Sequence, residues 1–233
     1  MDDSFAGRLQ IFSIQFVPFI LAVVAHEFGH GFVAAHWGDN TAKESGRLTL
    51  NPIPHIDPFG SIILPAMGAL TGIPVIGWAK PVPVNPARLR KPRQQMLFVS
   101  LAGPATNFLL AAIGAAAAHL LFRQLDPGLR IALTNLPSRY SILNALSDLP
   151  IGLVIAYSFA FVNMFLGLFN LIPIPPLDGS GIFELFMPEA WRPRYYRLRP
   201  YGLLVLFALV FWTGIIDTVL RPFLHVLDSV VVS

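Results

Sequence analysis

Five long apolar stretches constrain what this chain of 233 residues can fold into. A helix that crosses a bilayer needs about 20 predominantly apolar residues, and each stretch is of that order. The composition agrees, because 55% of the residues are hydrophobic and 12% are charged, whereas a soluble domain carries about twice that share of charge. The five stretches are Leu9–Trp37, Ile56–Ala79, Met96–Phe122, Leu149–Ile174 and Tyr201–Leu220.

The composition also excludes several classes of protein. A soluble enzyme is not expected at a mean hydropathy of +0.63, and disorder is excluded because there is ample apolar surface to bury. The absence of cysteine rules out disulfides, thiolate nucleophiles and cysteine-bound metal sites. The net charge of +3 is small and the basic residues flank the apolar stretches. We therefore expect a lipid bilayer, and no nucleic acid, as a partner.

Two basic loops predict the orientation in the membrane. Residues 80–93 hold five Lys or Arg and residues 192–199 hold four, with no acidic residue in either loop. The positive-inside rule places both loops in the cytoplasm, so the third and fourth stretches form an out-and-back pair. The N-terminus is acidic and lacks a cleavage site of small residues after its apolar run. We expect the first stretch to be a retained helix, not a signal peptide.

The second stretch is rich in proline and glycine, which disfavour a continuous helix. Irregular backbone at membrane depth is tolerated only where protein or a water-filled cavity satisfies it. We expect residues 56–86 to re-enter the membrane, and a kinked full span is the alternative. The predicted fold is a single α-helical polytopic membrane domain over residues 1–233, with about four transmembrane helices at 9–37, 96–122, 149–174 and 201–220.

One short motif in the first stretch indicates chemistry. Residues 26–30 read His-Glu-Phe-Gly-His and match H-E-x-x-H. On a helix, positions i and i+4 share one face about 6 Å apart along the axis. His26 and His30 can then hold one metal ion, with Glu27 beside it as a base. Ionisable residues in a membrane helix are costly and usually functional, so we predict a zinc site. The alternative is a polar cluster that only joins helices.

A catalytic zinc site needs a third protein ligand. Asp178 follows the fourth stretch in a proline-rich turn, and it could bind the metal or cap a helix that starts near Ser180. The spacing does not decide between these two roles. His55 and Asp57 form a rival pair, for which a turn with Asx-type hydrogen bonds is the favoured interpretation. The remaining histidines are placed less well for the same ion: His36, His119 and His225.

Three separated motifs resemble those of the site-2 protease family of intramembrane zinc metalloproteases. They are HEFGH at 26–30, GPATN at 103–107 and NLIPIPPLDG at 170–179. The run GWAKPVPVNP at 77–86 is similar to the family's segment after the first motif. The resemblance covers most of residues 22–179, and the family's topology agrees with the orientation from the charged loops, provided that the second stretch re-enters.

The resemblance implies a role for each matching residue. His26, His30 and Asp178 would bind one Zn²⁺, and Glu27 would be the general base. Asn107 and Asn170 match family asparagines near the active site, where they would contact the substrate or the developing oxyanion. Hydrogen bonding between helices is the alternative for both. A short β element in the re-entrant segment would offer an edge to the substrate strand: Trp78, Ala79, Lys80, Pro81 and Val82.

The resemblance therefore implies a protease that hydrolyses transmembrane protein substrates with a zinc-activated water. It implies a prokaryotic plasma (inner) membrane, with the active site toward the cytoplasm. Residues 123–148 are too few for the PDZ domain of many relatives, and few residues follow the last stretch, so we expect a minimal catalytic core. The alternatives are a non-catalytic, metal-retaining membrane binding protein (a pseudoprotease), which would not need Glu27, and a metal-ion transporter, which would need more ionisable residues along its helices.

Overall fold

The computed structural model describes residues 5–71, 78–134, 149–212 and 215–233. These residues are mostly helical. Three helices are long and apolar enough to cross a membrane, over Phe12–His36, Pro92–Phe122 and Ile151–Asn170. In chain order the helices are α1 (Phe5–His36), α2 (Thr41–Glu44), α3 (Leu64–Thr71), α4 (Pro92–Phe122), α5 (Pro127–Thr134), α6 (Ile151–Asn170), α7 (Asp178–Phe186), α8 (Arg192–Leu198), α9 (Gly202–Trp212) and α10 (Ile215–Val232).

The helices predicted at 9–37, 96–122 and 149–174 are confirmed as α1, α4 and α6. The predicted span over 201–220 stays a prediction, because residues 213 and 214 lie outside the described part of the chain. The described residues on either side of them are helical, in α9 and α10. Helix α10 carries charged residues and an internal proline, Pro222, in its first half.

Helix α4 packs against both α1 and α6, which also contact each other, and small residues allow these helices to approach closely. A Cβ atom on Gly114 of α4 would lie 2.8 Å from the backbone nitrogen of Ala160 in α6. A Cβ atom on Gly29 of α1 would lie 3.0 Å from the carbonyl oxygen of Ala102. Helices in a bilayer associate through such close van der Waals contact, because lipid supplies no hydrophobic drive between them.

Helix α10 closes the end of the bundle that lies away from the H-E-x-x-H motif. Its residues Leu224, Leu227 and Val231 are buried against α4 and α6. The Tyr157 hydroxyl of α6 donates a hydrogen bond to Asp228 Oδ1 of α10 at 2.5 Å. Helix α10 therefore packs on the bundle with one apolar face, as an amphipathic helix does.

The segment between α1 and α4 is built from short turns. It contains a 3₁₀ turn at Ile53–His55, a π-helical turn at Pro58–Ile63, helix α3 and a second 3₁₀ turn at Pro86–Arg88. The short β element predicted here is not supported, since no strand occurs in the part of the chain that the structure describes. The N–H groups of Trp78 and Lys80 donate to carbonyls of the two helical turns instead of to a strand, and Pro81 and Pro83 have no N–H to donate.

Candidate metal centre

The H-E-x-x-H histidines and Asp178 meet at one point between three helices. His26 and His30 lie on one face of α1, and both are buried. Their Nε2 atoms are 3.0 Å apart. The Oδ2 atom of Asp178 lies 3.0 Å from His26 Nε2 and 3.2 Å from His30 Nε2. The structure thus brings together three ligand atoms that the sequence separates widely, all within 4.8 Å of one another.

Hydrogen bonds on the far side of each imidazole fix which nitrogen faces this point. His26 Nδ1 lies 2.5 Å from Asn107 Oδ1, and His30 Nδ1 lies 2.6 Å from the carbonyl oxygen of Val99. Both partners are acceptors, because the Asn107 amide nitrogen is engaged elsewhere, so each Nδ1 carries the proton and each Nε2 presents a lone pair. Asp178 Oδ2 is buried and has no hydrogen-bond donor among the described residues.

With both imidazoles neutral, three lone-pair atoms face one another. This arrangement is repulsive unless a proton or a metal ion lies between them. Two imidazoles and one carboxylate are a donor set that zinc uses in catalytic sites. The donor chemistry of His26, His30 and Asp178 fits one zinc ion.

A glycine of the GPATN motif keeps the space in front of the histidines open. A Cβ atom on Gly103 would lie 2.4 Å from His30 Nε2 and 2.6 Å from His26 Nε2. Real Cβ atoms essentially never come that close to another atom, so a side chain at this position would fill the space between the ligand atoms. Helix α4 therefore shapes the centre by the absence of a side chain as well as by Asn107.

The turn after α6 places Asp178 beside the two histidines. A Cβ atom on Gly179 would lie 2.2 Å from the carbonyl oxygen of Leu171, so the chain folds back on the end of α6 as tightly as only glycine allows. Asp178 is the first residue of α7, and the cap position belongs to Leu177, with no side-chain cap bond. The geometry favours the metal-ligand role of Asp178 over the capping role.

Asn107 is fully buried and belongs to a network behind His26. Its amide nitrogen donates to the carbonyl oxygen of Ala22 at 3.1 Å and to Asn163 Oδ1 at 2.9 Å. Asn163 in turn donates to the carbonyl oxygen of Phe159. Because its oxygen and its nitrogen are both engaged by protein groups, this geometry favours a role for Asn107 in orienting His26 over contact with the substrate.

Glu27 is in contact with the segment that precedes α4. Its Oε2 atom accepts a hydrogen bond from the Val82 N–H at 2.6 Å. The Val82 side chain is buried, and one of its methyl carbons would lie 3.1 Å from a Cβ atom on Gly31. This segment therefore lies on the face of α1 that Glu27 and Gly31 share, next to the face of the two histidines.

Comparison with known proteins identifies the family. The model described as "Peptidase family M50" matches residues 14–213, which is most of the chain. The chain belongs to peptidase family M50, the site-2 protease family. No solved structure matches the chain.

Curated relatives of this M50 peptidase come from bacteria. A Bacillus subtilis protein named "Putative zinc metalloprotease YwhC" is 37% identical over 225 residues, which are 97% of this chain and 92% of the relative. A Mycolicibacterium smegmatis protein named "Putative zinc metalloprotease Rip2" is 32% identical over 184 residues, or 78% of this chain and 61% of the relative. The protein of that name from Mycobacterium tuberculosis is 33% identical over the same length.

Other candidate residues of the M50 peptidase lie outside the ligand cluster. Asn170, at the end of α6, donates to the carbonyl oxygen of Leu166 at 3.0 Å, and its contact with substrate stays a prediction. His55 Nε2 bonds the carbonyl of Thr49. Asp57 accepts the N–H groups of Phe59 and Gly60, which is the Asx-type turn expected for it.

Two residues of the M50 peptidase contribute to the site without having been singled out from the sequence. Asn163 accepts a hydrogen bond from the Asn107 amide. The sequence does mark this residue, because it is a carboxamide within an otherwise apolar stretch, where polar groups are costly. Val99 contributes only its backbone carbonyl to His30, and a backbone contact leaves no signal in the side-chain sequence.

Proposed function

We propose that this M50 peptidase is an intramembrane zinc metalloprotease that cleaves peptide bonds of transmembrane protein substrates. The observation that carries the proposal is the meeting of two imidazole lone pairs and one carboxylate oxygen beside Glu27. The names of the bacterial relatives as zinc metalloproteases support the same activity. The family match over residues 14–213 supports a single catalytic domain.

The residues of the site have separable tasks. His26, His30 and Asp178 would hold zinc, which supplies a Lewis acid that activates water and polarises a carbonyl. Glu27 Oε2 accepts the Val82 N–H, so Oε1 is the oxygen left to take the proton of the attacking water. As the water oxygen bonds the carbonyl carbon and the C–N bond breaks, Glu27 returns that proton to the leaving amine nitrogen.

The depth of the site supports cleavage within the bilayer. His26 and His30 lie inside the candidate span Phe12–His36, and His30 is about 9 Å along the helix axis from its end. The basic loops at 80–93 and 192–199 both contact α7, through Arg93 to the Leu185 carbonyl and through Tyr196 to Glu184. Their shared positive charge favours a cytoplasmic orientation of the site. The bacterial relatives favour a prokaryotic plasma membrane.

The packing of α1 on α4 favours a re-entrant course for residues 56–86. The second half of α1 contacts the first half of α4, as the bond from His30 to Val99 shows. The end of α1 and the start of α4 therefore lie on one side of the membrane, and the chain between them must return to the side that it left.

We also propose that the substrate binds along the edge Trp78–Val82. Existing hydrogen bonds and prolines limit which backbone groups of this edge are left to pair with it. The N–H groups of Trp78, Lys80 and Val82 are taken by Gly60, His55 and Glu27. On an extended chain the alternate residues face the other way, and there Pro81 and Pro83 have no N–H. A substrate strand would therefore receive a backbone hydrogen bond from Ala79 and would otherwise pair with carbonyl oxygens.

The second candidate function is a membrane binding protein that retains the metal but has no activity. The substitution Glu27→Gln distinguishes it from the protease. We expect this variant to keep zinc near one equivalent, because Glu27 is not among the ligand atoms, and to lose cleavage by a factor on the order of 10² or more. Zinc would be measured by elemental analysis of detergent-purified protein, and cleavage with a panel of single-span substrates. Undiminished cleavage by Glu27→Gln would remove Glu27 from the role of general base.

A further inference from the structure

The segment that contacts Glu27 rests on a platform formed by the residues just after α1. We call residues 81–85 the covering segment. Arg47 Nη1 donates to the carbonyl oxygen of Pro81 at 2.8 Å, and Asp39 Oδ2 accepts the N–H of Asn85 at 2.6 Å. The covering segment is thus held at both ends by the platform, and the Val82 N–H bonds Glu27 between these two contacts.

Asp39 is the buried member of this platform. Its side chain is fully buried and accepts three hydrogen bonds, two from the backbone and hydroxyl of Thr41 and one from Asn85. Burial alone would raise the pKa of the Asp39 carboxyl, but these bonds, with help from Arg88, outweigh it and hold the pKa below its usual value. The group is therefore a carboxylate at neutral pH.

The platform has a second acidic residue, Glu44, whose contact with the chain after the covering segment is exposed, unlike that of Asp39. Glu44 pairs with Arg88, just beyond the covering segment, at 2.5 Å, and both side chains are largely exposed. Exposed ion pairs contribute little, whereas a hydrogen bond from an N–H to a buried carboxylate is among the stronger kinds. Asp39 is therefore the group that determines where the end of the covering segment sits.

The covering segment is stiff enough to transmit that position to Val82. Prolines at 81 and 83 fix their own φ angles, and Val82 and Asn85 each precede a proline, which keeps their backbones extended. Asn85 has the extended backbone that this restriction predicts. Val84 is the one residue of the segment that neither is a proline nor precedes one, so we expect most of a shift at Asn85 to reach Val82.

We propose that Asp39 is a positioning residue for Glu27: by holding the Asn85 N–H, it sets the covering segment so that the Val82 N–H orients the Glu27 carboxylate. The inference rests on the proposed function, since it assigns Glu27 the role of the base. Asp39 touches neither the substrate nor the metal ligands, and it acts through the backbone.

The test is Asp39→Asn, which keeps the size of the side chain but turns an amide nitrogen toward one of the three donors. We expect kcat to fall on the order of 10- to 100-fold through misplacement of the base, with zinc still near one equivalent. Hydrogen exchange should become faster at Val82, Val84 and Asn85, which hold the three backbone amides of the covering segment. The matched control is Glu44→Gln, for which we expect kcat to change less than about twofold.

Three results would overturn the inference alone: wild-type kcat in Asp39→Asn, an equal loss in Glu44→Gln, or free exchange of the Val82 and Asn85 amides in the unmodified protein. The last measurement needs no variant and stands even if Asp39→Asn does not fold. A zinc-loaded wild type that cleaves no substrate would instead overturn the proposed function, and with it the role of Asp39.

Discussion

At the scale of the residue, the metal centre depends on which nitrogen of each histidine carries the proton. Asn107 Oδ1 and the Val99 carbonyl each bond a histidine Nδ1, and this leaves both Nε2 lone pairs for the metal. Groups behind metal-ligating histidines commonly fix the tautomer and the ring orientation in this way. The side-chain partner, Asn107, can be tested by mutation, whereas the Val99 carbonyl cannot.

We predict that Asn107→Ala weakens zinc binding while the histidines stay in place. Loss of such a partner typically costs about 10- to 100-fold in metal affinity, and here His26 would lose the acceptor that fixes its tautomer. The affinity would be measured by competition with a chromogenic chelator in detergent. Asn170→Ala is the control, because the Asn170 amide bonds the Leu166 carbonyl and no ligand, so its zinc affinity should match that of the wild type. Equal weakening in both variants would show that the effect is not specific to His26.

The sequence predicted some of these residues and left others undecided, for physical reasons. His26 and His30 follow from helix geometry, because i and i+4 share a face, whereas Glu27 was singled out by the match to H-E-x-x-H. Asp178 could not be separated from a helix cap by spacing, since the choice depends on how tightly the chain folds back at Gly179. Asn163 affects the centre only through Asn107. This indirect contact involves three helices, so it cannot be recognised before their relative positions are known.

At the scale of the element, apolar length predicted the three long helices α1, α4 and α6. The fourth predicted span, at 201–220, includes residues outside the described part of the chain and stays a prediction. The β element was expected from the family's segment, but the donors of Trp78 and Lys80 face helical turns. Helix α4 shows a different kind of local signal, a glycine whose missing side chain makes room for the metal.

We predict that Gly103→Ala prevents zinc binding although it favours the helix. Alanine is better than glycine in a helix interior by about 1 kcal/mol, so a helix without other contacts would be stabilised. At Gly103, however, the new methyl group would lie within 2.6 Å of both ligand nitrogens and would displace at least one imidazole. Metal content and the thermal midpoint of the purified protein would measure the two effects separately.

The control for Gly103→Ala is Gly152→Ala in α6, where the nearest atom to a new Cβ would be 3.8 Å away. We expect that variant to keep its zinc and to be as stable as the wild type or slightly more so. Full zinc occupancy in Gly103→Ala would mean that α4 lies farther from the histidines than in this structure.

At the scale of the whole molecule, the centre joins parts of the chain that no local pattern connects. Helix α1 carries two of the proposed ligands, and the third lies at the start of α7, just after the turn that follows α6. Helix α4 packs against both α1 and α6 and supplies Asn107, which is 81 residues from His26. A bound ion would therefore tie the first and last parts of the bundle core together. The unfolded chain has no such preformed site, so metal affinity appears directly as stability of the fold.

We therefore predict that a chelator lowers the thermal midpoint of the wild type and has little effect on Asp178→Ala. A ligand present at about 100 times its dissociation constant stabilises the native state by about 2.7 kcal/mol, which corresponds to a shift of about 5–10 °C for a chain of this size. Without Asp178 the ion no longer joins α1 to the turn after α6, so its removal should cost little. His119→Ala is the control, since His119 bonds the Val231 carbonyl far along α4 and should leave the chelator shift intact. A shift of equal size in Asp178→Ala would exclude Asp178 as the third ligand and would require a different residue to complete the site.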